Sequence, residues 1–205
     1  MAGGAGVMDV AWGSAALAGA SEAQRVVLVE GGSDKAALEV VARRRGQALG
    51  SGGTFIVAMG GATNIGHFLT VLGPRGTNAS LAGLCDAGQE DYVRSALERG
   101  GLGSATSRAG MEALGFYVCT ADLEDELIRA VGTAAVEAII EAQGELQSWR
   151  TLQKQPAQQG RTTTEQLHRF MGTRSGRKSL YARLLAEVLD PASVPRPLDR
   201  VLAHT

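Results

Sequence analysis

Short apolar runs rich in Val, Ile and Leu recur along the chain and are bounded by glycines and polar residues. Runs of this length and composition are typical of buried β-strands. The predicted strands are Arg25–Val29, Thr54–Met59, Leu81–Cys85 and Gly115–Thr120. Each run is followed by a turn and then by a longer stretch of helical character, so strand and helix alternate along the chain.

The segments between the strands carry apolar residues at helical spacing. The first of these helices can be capped by Ser33 or Asp34 and runs to about Arg45. The later predicted helices are one that follows Gly60–Asn64 and ends near Leu72, one over Gln89–Arg99, and a long one from Asp122 to about Ala142 that Gly132 can break. Residues 100–110, rich in Gly and Ser, predict a loop. This alternation predicts an α/β fold with a parallel four-stranded sheet flanked by helices.

The composition changes after Gly144. The Gln-rich stretch Gln153–Gln159 indicates a linker, Thr163–Phe170 and Ser179–Leu189 predict helices, and the proline-containing tail is expected to be mostly irregular. We therefore expect three parts. They are a loosely ordered lead-in over 1–21 in which Val7–Ala18 can be helical, an α/β domain over 22–145, and a linker with a helical C-terminal extension over 146–205.

Composition places the chain among ordinary globular proteins, with 205 residues, 44% hydrophobic and 20% charged. A net charge of −1 excludes a global basic field that would draw it onto nucleic acid. The absence of an 18-residue apolar run argues against a membrane span. Met1–Ala20 has no Lys or Arg and does not resemble a secretory signal. Cys85 and Cys119 are expected to be buried reduced thiols, so a cytoplasmic location is expected.

Three acids follow predicted strands directly: Glu30, Asp86 and Asp122. Parallel strands joined by helical crossovers end on the same edge of a sheet, where open α/β sheets bind their ligands. Carboxylates gathered at such an edge repel one another unless a cation or a shared proton compensates. Because carboxylate oxygens suit Mg²⁺ and Mn²⁺, the pattern predicts a divalent-metal site.

Three motifs carry a resemblance to a known family. Val29–Asp34 resembles the Val-Glu-Gly-x-x-Asp signature of the Rossmann-like Toprim domain, and Leu84–Gly88 occupies the place of its second acidic motif, often Asp-x-Asp. Ala121–Leu127 is similar to the further acidic element of Toprim domains from the OLD (overcoming lysogenization defect) family. The resemblance covers roughly residues 22–135, and we identify the chain as similar to an OLD-type Toprim domain with a helical C-terminal extension.

The resemblance implies a site with two ions, Mg²⁺ or Mn²⁺. Its implied metal ligands are Glu30, Asp34 and Asp86 for one ion, with Asp122 and Glu124 near the second. Glu30 can alternatively act as a general acid or base, and Asp86 belongs to the implied catalytic set. A lysine beyond the acidic motifs is implied to neutralise the scissile phosphate. Lys178, in the basic stretch Arg161–Arg183, matches that lysine, and simple surface charge is its alternative.

The implied function is metal-dependent cleavage of DNA phosphodiester bonds. One alternative is a non-catalytic nucleic-acid or nucleotide-binding module, weakened at Gly88, that works with a separate ATPase partner. OLD proteins usually join an ATPase domain to the Toprim domain, and this chain, which has no Gly-x-x-x-x-Gly-Lys-Ser/Thr motif, is expected to be a Toprim unit without one. A Toprim nucleotidyl transferase is the other alternative. A homo-oligomer is compatible with each of them.

Two features depart from the implied pattern or have plainer interpretations. Gly88 stands where the second Asp-x-Asp acid would fall, although the helix first-turn acids Glu90 and Asp91 lie close by and could compensate. Asp122 can simply cap a helix, with Asp125 three residues later. Two further expectations are that Glu126 faces solvent and that the histidines His67, His168 and His204, which lack metal-binding spacing, are ordinary surface residues.

Overall fold

A parallel four-stranded sheet forms the centre of the molecule, in the order β2-β1-β3-β4. The computed structural model describes residues 19–20, 23, 25–50 and 52–204, so the helix expected at Val7–Ala18 lies outside them. The strands are β1 (Arg25–Val29), β2 (Thr54–Ala58), β3 (Ser80–Cys85) and β4 (Phe116–Val118). The predicted α/β fold with a parallel four-stranded sheet is confirmed.

Helices follow each strand and then fill the C-terminal third of the chain. In chain order, the helices are α1 (Gly32–Arg44), α2 (Ile65–Leu72), α3 (Glu90–Gly100), α4 (Arg108–Ala113), α5 (Leu123–Val131), α6 (Thr133–Ala142), α7 (Leu146–Gln153), α8 (Thr163–Met171), α9 (Arg177–Val188) and α10 (Arg196–Ala203). The break predicted at Gly132 separates α5 from α6, where the glycine adopts a φ of 85°. That conformation favours glycine over residues with a Cβ.

Both faces of the sheet are buried, as the apolar runs predict for a parallel sheet. In β1, Val26 and Leu28 point into a core shared with α2, α3 and α4. Val27 and Val29 point into a second core, shared with α1 and with the helices from α5 onward. This alternation explains why every position of β1 after Arg25 is apolar.

One sequence expectation, the irregular tail, is wrong, and two others hold only in part. The Gly/Ser-rich segment 100–110 contains the start of α4, which Ser107 caps by accepting a hydrogen bond from the Gly110 amide at 3.2 Å. The Gln-rich stretch begins within α7, and its Gln158 is buried. The tail is not mostly irregular, because α10 buries Leu198, Val201 and Leu202, which share one face of the helix.

The C-terminal helices share the core of the sheet. Helix α9 packs along α1, and Arg44 Nη1 donates a hydrogen bond to the Ala186 carbonyl at 2.8 Å. Phe170 of α8 makes edge-to-face contacts with Trp149 and Tyr181, with ring centroids 5.5 and 6.0 Å apart. Trp149 is therefore a core residue. Residues at the start of α9 are held in a fixed place relative to the sheet edge.

Candidate metal centre

The first acidic motif lies where β1 passes into α1. Gly31 is the residue before the helix, and Asp34, in the first turn, accepts a hydrogen bond from the Gly31 amide at 2.7 Å. The N-cap residue is therefore Gly31 and not Ser33 or Asp34, although Asp34 contributes to the cap from the third helical position, as the acid of a capping box. Asp34 is only 8% exposed, and burial raises its pKa to about 6. The charges of Glu124 and Glu30 add to this rise, whereas the Gly31 hydrogen bond and Lys178 oppose it.

The second motif follows β3. Asp86 is half-buried, and its pKa is raised to about 7, first by burial and then by the charges of Asp34, Asp122, Glu30 and Glu124. A carboxyl that feels four other acids lies among them, so the structure does bring the predicted acids together at the sheet edge. The mutual repulsion of these acids is the electrostatic condition that a bound cation would relieve.

The third motif begins at Asp122, which is the N-cap of α5. Its Oδ1 accepts a hydrogen bond from the Asp125 amide at 2.9 Å, so the capping interpretation is also correct. Its Oδ2 lies 2.6 Å from Nε2 of His168 on α8. Burial raises the pKa of Asp122, but the hydrogen bonds from His168 and Asp125 together with the Lys178 charge outweigh it and lower the pKa overall.

Glu124 is the most deeply buried acid of the centre, at 1% exposure. Its Oε2 lies 2.9 Å from Lys178 Nζ, while its Oε1 has no hydrogen-bond partner among the described residues. Burial lowers the pKa of Lys178, but the charges of Glu124, Asp122 and Asp34 raise it more, so its ammonium group stays charged. A buried carboxylate oxygen without a donor is costly, which makes Oε1 a candidate metal ligand.

Three of these side chains can hold one ion together. Asp122, Glu124 and His168 each offer one ligand atom, and the three atoms lie within 4.8 Å of one another. Two carboxylate oxygens and an imidazole nitrogen form a donor set that binds divalent cations. The residues present therefore fit a divalent metal. Sequence reasoning missed His168, which was expected to be an ordinary surface residue and lies 46 positions from Asp122.

One neighbouring acid, Glu126, has a structural role instead. Glu126 was expected to face solvent, which is wrong, because it is buried. Its Oε1 accepts a hydrogen bond from the Thr120 amide at 2.7 Å, and its Oε2 pairs with Arg129 at 2.8 Å. Glu126 therefore shapes the turn that presents Asp122. Such a satisfied carboxylate has little capacity left for a metal.

The surroundings of Gly88 are open. A Cβ added at Gly88 would meet no atom within 4 Å in the described part of the chain. Glu90 and Asp91 are first-turn acids of α3, as predicted. Glu90 pairs with Arg108 at 2.8 Å and Asp91 pairs with Arg94, so both carboxylates have cationic partners of their own.

The fold and the acids gathered at the carboxyl ends of β1, β3 and β4 define a Toprim domain. The model of the family described as "Overcoming lysogenization defect protein-like, TOPRIM domain" matches residues 23–86, which include Glu30, Asp34 and Asp86. Residues 23–86 are therefore similar to the OLD-like Toprim domain, and the resemblance found in the motifs of the chain is confirmed.

Solved structures share this fold over most of the chain. The C-terminal region of the Xanthomonas campestris pv. campestris OLD protein, phased with platinum, is 22% identical with a TM-score of 0.65, and the match covers 89% of this chain and 91% of that one. The C-terminal region of the Burkholderia pseudomallei OLD protein is 20% identical with a TM-score of 0.65, covering 88% and 96%. No curated protein sequence matches significantly. Within the described residues, no helix is long and apolar enough to cross a membrane.

Proposed function

We propose that this chain is a metal-dependent DNA endonuclease of the OLD-like Toprim type, which hydrolyses phosphodiester bonds with two Mg²⁺ or Mn²⁺ ions. The buried carboxylate of Glu124 is the observation that carries the proposal. Lys178 contacts one of its oxygens, and the other has no partner in the described structure. A buried carboxylate oxygen without a partner destabilises the fold unless a cation binds it. Such a cost is typical of a functional site.

The acids would divide between two metal positions. The assignment is Glu30, Asp34 and Asp86 at one position and Asp122 and Glu124 at the other. Burial supports it, because the raised pKa values of Asp34 and Asp86 reflect carboxylates crowded without enough positive charge. When bound, two divalent ions stabilise the attacking and the leaving oxygen of an in-line phosphoryl transfer.

Lys178 and Glu30 complete the proposed machinery. The Lys178 ammonium group is half-exposed, so it can contact a phosphate oxygen of a bound strand while it keeps its contact with Glu124. Glu30, half-buried at the end of β1, can accept a proton from water or give one to the leaving oxygen. Asp86 would act with Glu30, since its carboxyl feels the charge of that residue.

DNA is the proposed substrate, bound by local charge, because the net charge of the chain is −1. The family resemblance motivates the rest of the proposal: a cytoplasmic location, a possible separate ATPase subunit and a possible homo-oligomer. Each of these follows from the type of domain, not from a contact in the molecule.

A non-catalytic binding module that acts with an ATPase is the second candidate. Gly88 favours it, because this residue leaves the second motif with one acid where the family pattern often has two. A position with fewer ligand charges binds a divalent ion more weakly. The two candidates differ in the number of ions bound and in whether DNA is cut.

Nicking of supercoiled plasmid by the purified chain tests the proposal, with Mg²⁺, Mn²⁺, Ca²⁺ or EDTA. We expect cleavage with Mn²⁺ or Mg²⁺, none with EDTA, and none from the Glu30→Gln or Glu124→Gln variants. Asp91→Asn is the matched control, because the Asp91 side chain is 88% exposed and belongs to no part of the site.

Nicking by the wild type in EDTA would contradict the proposal. Nicking by both glutamine variants at the wild-type rate would contradict it as well. Retention of plasmid without cleavage under every metal would favour the binding module. Incorporation of nucleotides on a primed template would instead indicate a nucleotidyl transferase.

A further inference from the structure

We infer that His168 ligates the second metal directly, so that this position favours Mn²⁺ over Mg²⁺. The inference rests on the metal site of the proposed function, but not on cleavage of DNA. It concerns a nitrogen ligand supplied by α8, outside the three acidic motifs.

The distances suit a shared ion. His168 Nε2 and Asp122 Oδ2 are 2.6 Å apart, and both lie within 4.8 Å of a carboxylate oxygen of Glu124. Two ligands at right angles, each about 2.1 Å from an ion, lie about 3 Å apart. A cation can therefore take the place of the proton between His168 and Asp122 with a shift of a few tenths of an ångström, well within side-chain freedom.

The buried Glu124 carboxylate gives the second, independent observation. Its side chain is 2% exposed, and its Oε1 finds no donor in the part of the chain that the structure describes. Lys178 already occupies Oε2 at 2.9 Å. One oxygen thus remains for the position that Asp122 and His168 share, which makes three ligands from three side chains.

A purely structural role explains His168 less well. Asp122 already caps α5 through its Oδ1, so the helix does not need the imidazole. The backbone around His168 is fixed independently, because its neighbours Leu167 and Phe170 are buried in the core. The imidazole is itself 40% exposed, so the contact with Asp122 contributes little to packing. The orientation of the imidazole towards Asp122 is therefore best explained by a metal ion that both side chains bind.

The ligand type determines the metal preference. Mg²⁺ prefers an all-oxygen shell and keeps several waters, whereas imidazole nitrogen suits transition-metal ions. A site with one imidazole and two carboxylates should therefore take Mn²⁺ in preference to Mg²⁺. Replacing the imidazole by a carboxylate should reduce that preference, because carboxylate oxygens suit both ions.

Electron spin-echo envelope modulation of the Mn²⁺-loaded full chain tests the ligation. We expect ¹⁴N modulation from a coordinated imidazole in the wild type and in the control His67→Gln, whose residue is exposed on α2. The modulation should vanish in His168→Gln. Titration calorimetry should show at least a tenfold loss of Mn²⁺ affinity in His168→Gln and less than a threefold loss for Mg²⁺. His168→Glu should restore binding of both ions, with a smaller ratio of Mn²⁺ to Mg²⁺ affinity than in the wild type.

Three results would overturn the inference. They are no Mn²⁺ binding to the wild type, no ¹⁴N modulation in the Mn²⁺-loaded wild type, and full Mn²⁺ affinity in His168→Gln, in which the glutamine amide can still donate to Asp122. Circular dichroism of each variant confirms that it is folded. Modulation that depends on His168 in a chain that cuts no DNA would refute the nuclease and keep this inference. Cleavage of DNA by a chain that shows no ¹⁴N modulation would refute this inference and keep the nuclease.

Discussion

Lys178 Nζ lies 2.9 Å from Glu124 Oε2, and this contact joins the C-terminal helices to the acidic edge of the sheet. The lysine belongs to α9, and the glutamate belongs to the first turn of α5. The pair places one positive charge among several carboxylates that burial has left short of counter-charge.

Replacing Lys178 should abolish cleavage while the fold is kept. We expect Lys178→Met to lower the rate of plasmid nicking by about 10²–10³-fold, the usual effect of losing one charge-stabilising donor at a reacting phosphate. Arg183→Met on the same helix is the matched control, because Arg183 pairs with the exposed Glu187 of that helix and not with an acid of the site, as far as the structure describes the chain. Equal rates for the two variants would exclude a catalytic role for Lys178.

Arg177 should matter for stability. It is buried against the Phe170 ring, with its guanidinium carbon 4.1 Å from the ring centroid, and its Nη2 lies 2.7 Å from Glu145 Oε1. Removing it leaves Glu145 without its closest cation, so Arg177→Ala should lower the free energy of unfolding by about 2–4 kcal/mol. Chemical denaturation measures the change.

Arg174→Ala is the control for Arg177→Ala. Arg174 also faces Glu145, but at 3.5 Å and with a side chain that is 68% exposed. Its loss should cost less than about 1 kcal/mol. If the two variants lose similar free energies of unfolding, the burial of Arg177 does not strengthen its interaction with Glu145.

Gly88→Asp should strengthen metal binding. The position has open space around the missing Cβ in the described structure, and an added acid completes the Asp-x-Asp pattern that begins at Asp86. We expect Mg²⁺ to bind about tenfold more tightly, since affinity follows the number of ligand charges. Gly66→Asp on α2 adds the same charge at another open position and should leave affinity unchanged, as titration calorimetry will show.

The raised pKa of Asp86 makes the metal-free protein less stable as the pH increases. Its pKa is about 7 in the folded chain and near 3.8 in the unfolded one, so between these values the folded state holds more protons. Stability therefore falls as the pH rises through this window. The melting temperature of Asp86→Asn should be close to that of the wild type near pH 4 and about 3 °C or more above it at pH 8. Calorimetry in EDTA measures both temperatures. Adding Mn²⁺ should raise the wild-type melting temperature more than that of the variant, whereas an unchanged gap across the pH range would refute the assignment.

Much of the fold could be predicted from sequence because its signals are local. Each strand is a short apolar run. Glu30 and Asp86 follow their strands directly, and Asp122 lies four residues after the end of β4. The tail helix α10 was missed because prolines suggested an irregular segment. Pro195 precedes that helix and Pro197 lies in its first turn, where a missing amide hydrogen costs nothing.

The parts of the site that could not be predicted depend on contacts between distant positions. His168 meets Asp122 across 46 residues, and Arg177 meets Glu145 across 32. No local spacing marks such pairs, because packing of α8 and α9 on the sheet creates them. Glu126 was misjudged for a different reason: its partner is near in sequence, but it is the Thr120 backbone amide in the turn after β4, which no side-chain pattern marks.

The position of α8 and α9 late in the chain has a consequence for synthesis. A nascent chain that ends before Thr163 already contains Glu30, Asp86 and Glu124, but it has neither His168 nor Lys178. The imidazole and the ammonium group reach the sheet edge only after α8 and α9 have left the ribosome. A nascent chain without these two helices would lack two groups of the proposed site, so the proposed cleavage of DNA would begin only once both helices have packed on the sheet.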